Sequence, residues 1–400
     1  MEALMADEKA GGSAWWRYFP EHYLWSQVFC GLLNLGPLGG PVPWELDQAG
    51  KRLRRRVGDP EAWYEEWERE ADAAQALAEG EEARGHGRTA ARAWLRSSLY
   101  RCVSERFIHP DDPRKAASYQ QAVRDCERGY RGLIEGFERV DVPSPDGPLP
   151  AYWIPPLGAQ GGSRRAPAVA YFDGLDGSKE FTVLWAGLAL RERGIGTLCI
   201  DGPGQGEALR LRKIPSRPDY EVPGAAAYDY LAGRPEVDPS RVGVMAMSMG
   251  GYYAPRIAAF EHRYAACVAW GAHFDYHEVW VHRRKVLEGG GTVASSSIWQ
   301  LPWVFGCPDM DRAMEKCKAY TLAGVAEEIR MPILILHGQD DAIVPVRMAH
   351  RLHEACGSKE KELRIFRAED GGSQHCVFDN LQLASGFVAD WWMDRFSGRR

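Results

Sequence analysis

The 400-residue sequence predicts an α/β protein: a mostly parallel sheet flanked by helices and preceded by a helical domain. Three observations support this prediction. Up to about residue 136 the patterns are helical. From about residue 137, short apolar runs alternate with helical segments, which is typical of a parallel sheet covered on both faces. The polar residues of chemical interest follow the ends of these runs, where parallel sheets hold their functional groups.

The first domain is expected to span residues 1–136 and to form a helical cap. Its clearest helix starts after Asp59, a plausible N-cap, with Pro60 in the first turn. No strand-like alternation interrupts this region. Three helices are predicted, over residues 60–79, 87–107 and 112–134.

The second domain, residues 137–400, is predicted to contain eight strands and to form the catalytic domain. The first two are joined through Pro145-Asp146-Gly147 and are expected to pair antiparallel. Residues 275–330 are too many for a simple crossover, so a helical lid insertion is expected there. The strands are predicted over residues 137–142, 149–155, 168–174, 195–202, 241–248, 266–272, 332–338 and 362–367.

Charge, apolar runs and cysteine content indicate which kinds of molecule the protein binds and where it is found. The net charge of -6 provides no field that would attract nucleic acid or an anionic membrane, so a small-molecule substrate is expected instead. The first thirteen residues lack the apolar segment of a secretory signal, and no run approaches the ~18 apolar residues of a membrane helix. Nine cysteines without a C-x-x-C pair predict reduced thiols and a cytoplasmic protein.

Ser248 stands in the run RVGVMAMSMGG, where a strand would pass into a helix. A sharp turn there would lift its Oγ clear of the sheet, and it needs small neighbours because strand and helix nearly touch. Gly250 meets this demand. Ala246, which replaces the first glycine of G-x-S-x-G, nearly does. The alternative is a serine that only caps a helix.

Two later segments favour a nucleophile. The run HGQDDAIVP places Asp340 and Asp341 after the seventh strand, and His375 follows the eighth in a glycine-rich loop. The order Ser, Asp, His, each after a separate strand, is that of an α/β-hydrolase triad. We predict Ser248 as nucleophile, His375 as base and Asp341 as the orienting acid. Asp340 and Asp275, which follows the preceding strand, are the alternatives for the acid.

An oxyanion hole is expected from the backbone N–H groups of Met249 and Leu175. Leu175 lies in the loop after the first parallel strand, whose glycines allow close backbone approach. The alternative is that this loop only turns the chain toward a helix.

Two further motifs resemble cofactor sites. The run DGPGQGE (201–207) follows a strand, but its strand is interior and its glycine spacing is wrong for a dinucleotide. His273, Asp275 and His277 alternate like metal ligands, but no other Cys/His/Asp cluster accompanies them. We therefore expect neither a cofactor nor a metal.

Several runs together resemble one family: PAVAYFDGLDGSKE, CIDGPGQGEA, GVMAMSMGGYYAPRIAA and CVAWGAHFDY, with GHGRTAARAWLRSSLYRC in the helical domain. They are similar to the α/β-hydrolases that include dihydroxypseudooxynicotine hydrolase and the fungal polyketide-shortening hydrolases of melanin synthesis. The resemblance spans nearly the whole chain and is densest over residues 167–272. Ala246 and Asp173 depart from it, since glycine is common at both positions.

The resemblance implies hydrolysis of a carbon–carbon bond beside a ketone, or of an ester, in an aromatic or polyketide-like molecule of secondary metabolism or catabolism. It implies no metal or cofactor, helices that cover the active site, and a possible homodimer. It also gives the triad and oxyanion residues the same roles. The alternatives are a carboxylesterase or lactonase, and a non-catalytic small-molecule receptor.

Carbon–carbon cleavage expels a carbanion, so an additional acid would help the leaving group. Asp275 and Glu278, after the sixth strand, are the candidates. A set of tryptophans in the helical parts would either line an aromatic pocket or pack the helices onto the sheet. These are Trp15, Trp16, Trp25, Trp94, Trp280, Trp299 and Trp303.

Overall fold

A computed structural model describes residues 15–158, 165–289 and 298–398 of the chain. The expectation of no secretory signal in the first thirteen residues, and the part of the predicted lid over 290–297, lie outside the described residues. None of the described helices is both long and apolar enough to cross a bilayer.

Eight strands form one sheet in the order β1-β2-β4-β3-β5-β6-β7-β8. The pairs β1–β2 and β2–β4 are antiparallel, and every other neighbouring pair is parallel. The predicted fold class and the antiparallel opening pair are therefore confirmed. The strands are β1 Glu138–Val142, β2 Leu149–Ile154, β3 Ala166–Phe172, β4 Gly196–Ile200, β5 Val237–Met247, β6 Cys267–Trp270, β7 Ile333–Gly338 and β8 Lys361–Phe366.

Five of the described helices precede the sheet, and the three that the sequence predicts are among them. Asp59 and Asp112 cap two of these helices, and each accepts a 2.9 Å hydrogen bond from a first-turn N–H. A proline follows each cap and fits the first turn, where its missing N–H costs nothing. The helices are α1 Tyr23–Leu35, α2 Pro43–Leu53, α3 Pro60–Ala83, α4 Gly87–Ser104 and α5 Pro113–Leu133.

Ten further α-helices in the described residues cover the sheet or extend from it, and a π-helical turn, Val183–Gly187, joins the first two. They are α6 Lys179–Thr182, α7 Leu188–Glu192, α8 Gly206–Arg210, α9 Glu221–Ala232, α10 Gly250–Phe260, α11 Tyr276–Glu288, α12 Gln300–Phe305, α13 Met310–Cys317, α14 Arg347–Ala355 and α15 Leu381–Ser397.

The N-terminal helices have an aromatic core of their own. Trp25, Trp63 and Trp67 are buried there, with ring centroids 4.7 Å apart for the first pair and 5.5 Å for the second. Helix α1 also reaches the segment that follows β8 and carries His375, because Asn34 Nδ2 donates a 3.1 Å hydrogen bond to the carbonyl oxygen of Phe378. The helical layer therefore lies over the carboxyl ends of the parallel strands.

Candidate active site

Ser248 occupies the turn between β5 and α10. Its φ of +60° lies in the left-handed region, which residues other than glycine rarely adopt. Two hydrogen bonds of 2.7 Å hold the turn: Ser248 N–H donates to the Trp270 carbonyl, and Gly251 N–H donates to the Ser248 carbonyl. This strained conformation is the one expected of a nucleophile on a sharp strand-to-helix turn.

The neighbours of Ser248 are small because three segments meet there. A Cβ on Gly250 would lie 2.5 Å from the Ala246 Cβ and 2.8 Å from the Asp173 carbonyl oxygen. A Cβ on Gly174 would lie 2.7 Å from that of Ser248. The methyl group of Ala246 is accommodated because Gly250, on the facing side, has none.

Ser248, His375 and Asp341 form a continuous chain of hydrogen bonds. Ser248 Oγ lies 2.8 Å from His375 Nε2, and His375 Nδ1 lies 2.7 Å from Asp341 Oδ2. The other Asp341 oxygen accepts 2.8 Å bonds from two backbone N–H groups of its own turn. Burial acts to raise the pKa of Asp341, but the nearby His375 and its hydrogen bond outweigh burial and lower the pKa to about 2. Asp341 is therefore an ionised, fixed partner for the imidazole.

The loop that carries His375 is held on both sides. Trp270 Nε1 donates a 2.9 Å hydrogen bond to the Cys376 carbonyl. A Cβ on Gly338, at the end of β7, would lie 2.2 Å from the Gln374 carbonyl oxygen. Asp340 faces away from the imidazole, because its Oδ2 accepts a 2.7 Å bond from Ser373 Oγ. The structure thus places Asp341, and not Asp340, beside His375.

The two predicted oxyanion donors, Leu175 and Met249, line the same cavity as Ser248. In the described part of the chain, neither backbone N–H donates a hydrogen bond. The N–H of Gly174, by contrast, donates to Asp173 Oδ1 at 2.6 Å. Leu175 and Met249 therefore retain free donors beside Ser248.

Asp173, at the position where glycine is common, is buried under this loop. A Cβ on Gly177 would lie 2.1 Å from its Oδ2, so the loop closes tightly around the carboxyl group. Burial raises the pKa of Asp173 to about 7, although the hydrogen bond from Gly174 opposes the shift. The carboxyl group is therefore largely protonated below neutral pH.

The DGPGQGE run supports the oxyanion loop. Gln205 Nε2 donates a 2.5 Å bond to the Asp173 carbonyl, and Gly206 N–H donates a 2.7 Å bond to the Gly177 carbonyl. Beneath them Lys179 Nζ, fully buried, lies 3.0 Å from carboxylate oxygens of both Asp201 and Glu207. This run resembled a dinucleotide motif, but in the fold its polar groups are engaged with the loop and with Lys179.

The cavity above Ser248 has a volume of about 180 Å³ and a largely apolar wall on the side of the helical layer. Helix α1 contributes Val28, Leu32 and Leu35, and the segment around the π-helical turn contributes Phe181 and Trp185. A π-helical turn has no signature in sequence, so Trp185 could not be assigned to the pocket from the pattern. The helical layer and the sheet thus enclose the pocket together.

The auxiliary acids proposed from the sequence lie elsewhere, and those assignments are corrected. Asp275 caps α11 by accepting a 3.0 Å bond from the Glu278 N–H. The Glu278 carboxylate lies on the exposed face of that helix, 3.0 Å from Arg347 and 2.6 Å from Arg351. Neither residue lines the cavity, and neither do the seven tryptophans that the sequence analysis considered.

The cavity does contain charged residues that sequence reasoning missed. Its lining includes the buried residues Asp176, Arg210 and Arg283. Arg210 Nε donates a 2.7 Å hydrogen bond to Glu105. The sequence signal that could have identified Asp176 as a pocket residue is its position next to Leu175, a predicted oxyanion donor. Arg283 lies in the middle of α11, where its position on the inner face depends on packing that no local pattern specifies.

Comparisons with known proteins place hydrolases among those similar to this chain. Residues 309–370 match the family described as Serine aminopeptidase, S33. The chain is 28% identical to Hydrolase LUC6 of Fusarium sp over 93% of its length and 96% of that protein. It is 28% identical to 20-hydroxy-prefusarin hydrolase FUS2 of Gibberella moniliformis, over 90% of this chain and 95% of that one.

Among solved structures, 2,6-dihydroxy-pseudo-oxynicotine hydrolase superposes with a TM-score of 0.75 at 24% identity, covering 91% of this chain and 96% of that one. The chain has the α/β-hydrolase fold. The predicted resemblance to this group is confirmed, as is the prediction of a hydrolase enzyme. The predicted triad residues and the two predicted oxyanion donors lie together at the carboxyl ends of the strands, where the fold holds its chemistry, whereas Asp275 and Glu278 do not line the cavity.

Proposed function

We propose that this hydrolase cleaves a carbon–carbon bond beside a ketone in an aromatic or polyketide-like small molecule, in secondary metabolism or catabolism. The proposal rests on the hydrogen-bonded chain from Ser248 through His375 to Asp341 in an enclosed, largely apolar pocket. Relatives named for 20-hydroxy-prefusarin and 2,6-dihydroxy-pseudo-oxynicotine support a small organic substrate.

In the proposed reaction His375 accepts the hydroxyl proton of Ser248 while Oγ attacks the ketone carbonyl. The N–H groups of Leu175 and Met249 stabilise the oxyanion. The carbon–carbon bond then breaks, its electron pair leaves with the departing carbon, and the proton on His375 passes to that fragment. Water, deprotonated by His375, finally releases the acyl group from Ser248 as a carboxylic acid.

The position of Arg283 favours carbon–carbon cleavage, because a buried cation can stabilise a carbanion leaving group. Its side chain is 6% exposed and lines the cavity. The guanidinium donates to the Ile343 carbonyl and forms no ion pair with a carboxylate of the described residues, although Asp341 is near enough to attract it electrostatically. A departing carbanion delocalised as an enolate is anionic, so a buried cation that is not held in an ion pair would stabilise it. Arg283 thus takes the place that the sequence reasoning gave to Asp275 or Glu278.

A fluorophosphonate probe tests the nucleophile. We expect stoichiometric labelling of Ser248 in the wild-type protein and none in Ser248→Ala, with unchanged circular dichroism. A folded wild-type protein that stays unlabelled would contradict the proposal and favour a non-catalytic receptor.

The bond that is cleaved is tested with a panel of 1,3-diketones beside aryl esters and lactones. An alkoxide leaving group takes its proton directly from His375, so ester cleavage has less need of Arg283. We expect Arg283→Met to lower kcat/KM on the diketone about 100-fold more than on the ester. The neighbouring Arg284→Met, on the outer face of α11, is the matched control. Turnover of esters alone, equally affected by both variants, would favour the carboxylesterase or lactonase alternative.

A further inference from the structure

Asp176 has a buried carboxyl group for which the described residues provide no hydrogen-bond partner. Its side chain is 2% exposed and lines the cavity that contains Ser248 and His375. Among the described residues, neither of its oxygens makes a hydrogen bond. The nearest cation is Arg210, whose Nη2 lies 3.9 Å from Asp176 Oδ2, which is beyond hydrogen-bond distance. Since buried polar groups are nearly always paired, an unpaired carboxyl group in a pocket wall calls for a partner from outside the chain.

The surroundings hold Asp176 in this position without satisfying it. Its φ of +52° is in the left-handed region, where glycine or asparagine fits with less strain. Arg210 Nη1 donates a 2.8 Å bond to the Asp176 backbone carbonyl, not to its side chain. The Nε of Arg210 is engaged with Glu105, which also contacts Lys115. Arg210 therefore fixes the Asp176 backbone, and both carboxyl oxygens stay buried without a hydrogen-bond partner in the described part of the chain.

We propose that Asp176 accepts a hydrogen bond from a hydroxyl group on the acyl part of the substrate, and so selects hydroxylated substrates. This inference rests on the proposed function. Asp176 directly follows Leu175, a proposed oxyanion donor, so the group it binds lies on the portion of the substrate that carries the reacting carbonyl. A pocket that needs a hydroxyl to satisfy a buried acceptor rejects the analogue without one, because binding that analogue leaves the carboxyl group unpaired.

The test uses phenyl benzoate and the phenyl esters of 2-, 3- and 4-hydroxybenzoic acid. We expect the wild-type enzyme to favour at least one hydroxylated ester over phenyl benzoate by about 10- to 100-fold in kcat/KM. Asp176→Gly removes the acceptor and relieves the positive φ, and should reduce this preference to within about 3-fold. Asp176→Asn keeps one acceptor oxygen and should give an intermediate preference.

Lys213→Gly is the control, because Lys213 is exposed and also has a positive φ, of +58°. It should leave the preference intact. A wild-type enzyme without preference, or an Asp176→Gly variant that loses activity equally on all four esters, would overturn the inference while the proposed function stands. If Ser248 is not labelled by fluorophosphonate and no ester is hydrolysed, the proposed function fails and this inference fails with it.

Discussion

Replacing Lys179 by methionine should destabilise the protein strongly. The fully buried Lys179 Nζ lies 2.8 Å from Glu180, 3.0 Å from Asp201 and 3.0 Å from Glu207. Without it, Glu180 keeps two tyrosine hydroxyl donors and Glu207 keeps two arginines, but the donors left to Asp201 among the described residues are backbone N–H groups alone. Removing one partner of a buried ion pair costs about 3–5 kcal/mol, which is a large part of a typical free energy of unfolding.

The destabilisation caused by Lys179→Met should increase as the pH rises. Burial raises the pKa of Asp201 to about 6 even with Lys179 present, and the loss of the cation should raise it further. The folded variant then holds a proton that the unfolded chain releases, so its stability falls as pH rises above about 4. We therefore expect a larger difference between variant and wild type at pH 8 than at pH 5.

Urea unfolding followed by tryptophan fluorescence measures both effects. Lys51→Met is the matched control, because Lys51 is 59% exposed and pairs with Asp47 on one helix face, where an ion pair contributes little to stability. A Lys179→Met variant destabilised by under about 1 kcal/mol, or equally at both pH values, would refute the reasoning.

Three more predictions follow from the site. Gly250→Ala should lower the stability by about 1–3 kcal/mol because the new methyl group meets that of Ala246 and the Asp173 carbonyl oxygen, and adding Ala246→Gly, which removes the first contact, should recover part of the calorimetric Tm; no recovery would contradict the packing argument. Ionisation of Asp173 near pH 7 places a charge beside the oxyanion donors, so kcat/KM for an ester should fall as pH rises through about 7, and Asp173→Asn should abolish that fall in the pH profile. Asp341, with its pKa lowered from 3.8 to about 2, contributes about 2 kcal/mol above pH 4 that is lost as pH falls toward 2; acid unfolding of Asp341→Asn should lack this component.

Strands and their order along the chain were predictable because each is a short apolar run bounded by turn residues. The triad residues were predicted from the same pattern, since a serine, an aspartate and a histidine each follow a separate strand. Sequence periodicity shows where a strand ends, and parallel strands end at one edge of the sheet.

Residues on the pocket wall were not predictable in the same way. Glu278 and Arg283 lie on one helix, and only the packing of that helix decides which faces the cavity. Asp275 looked reactive because it follows a strand, but its carboxylate caps the next helix. Trp25 was a candidate for the pocket, yet it is buried in the aromatic core of the helical layer, where its large apolar surface helps to stabilise that layer.

The position of helix α1 in the pocket wall affects how the substrate selectivity of such an enzyme can change. It supplies Val28, Leu32 and Leu35 to the wall opposite Ser248, and it does so from the far end of the chain. Substitutions there can reshape the space for a substrate while the strand ends that hold the reacting groups stay untouched. A library confined to this one helix would therefore vary selectivity at little risk to reactivity, whereas a fragment beginning at β1 would keep the reacting groups and lose the enclosure that selects what reaches them.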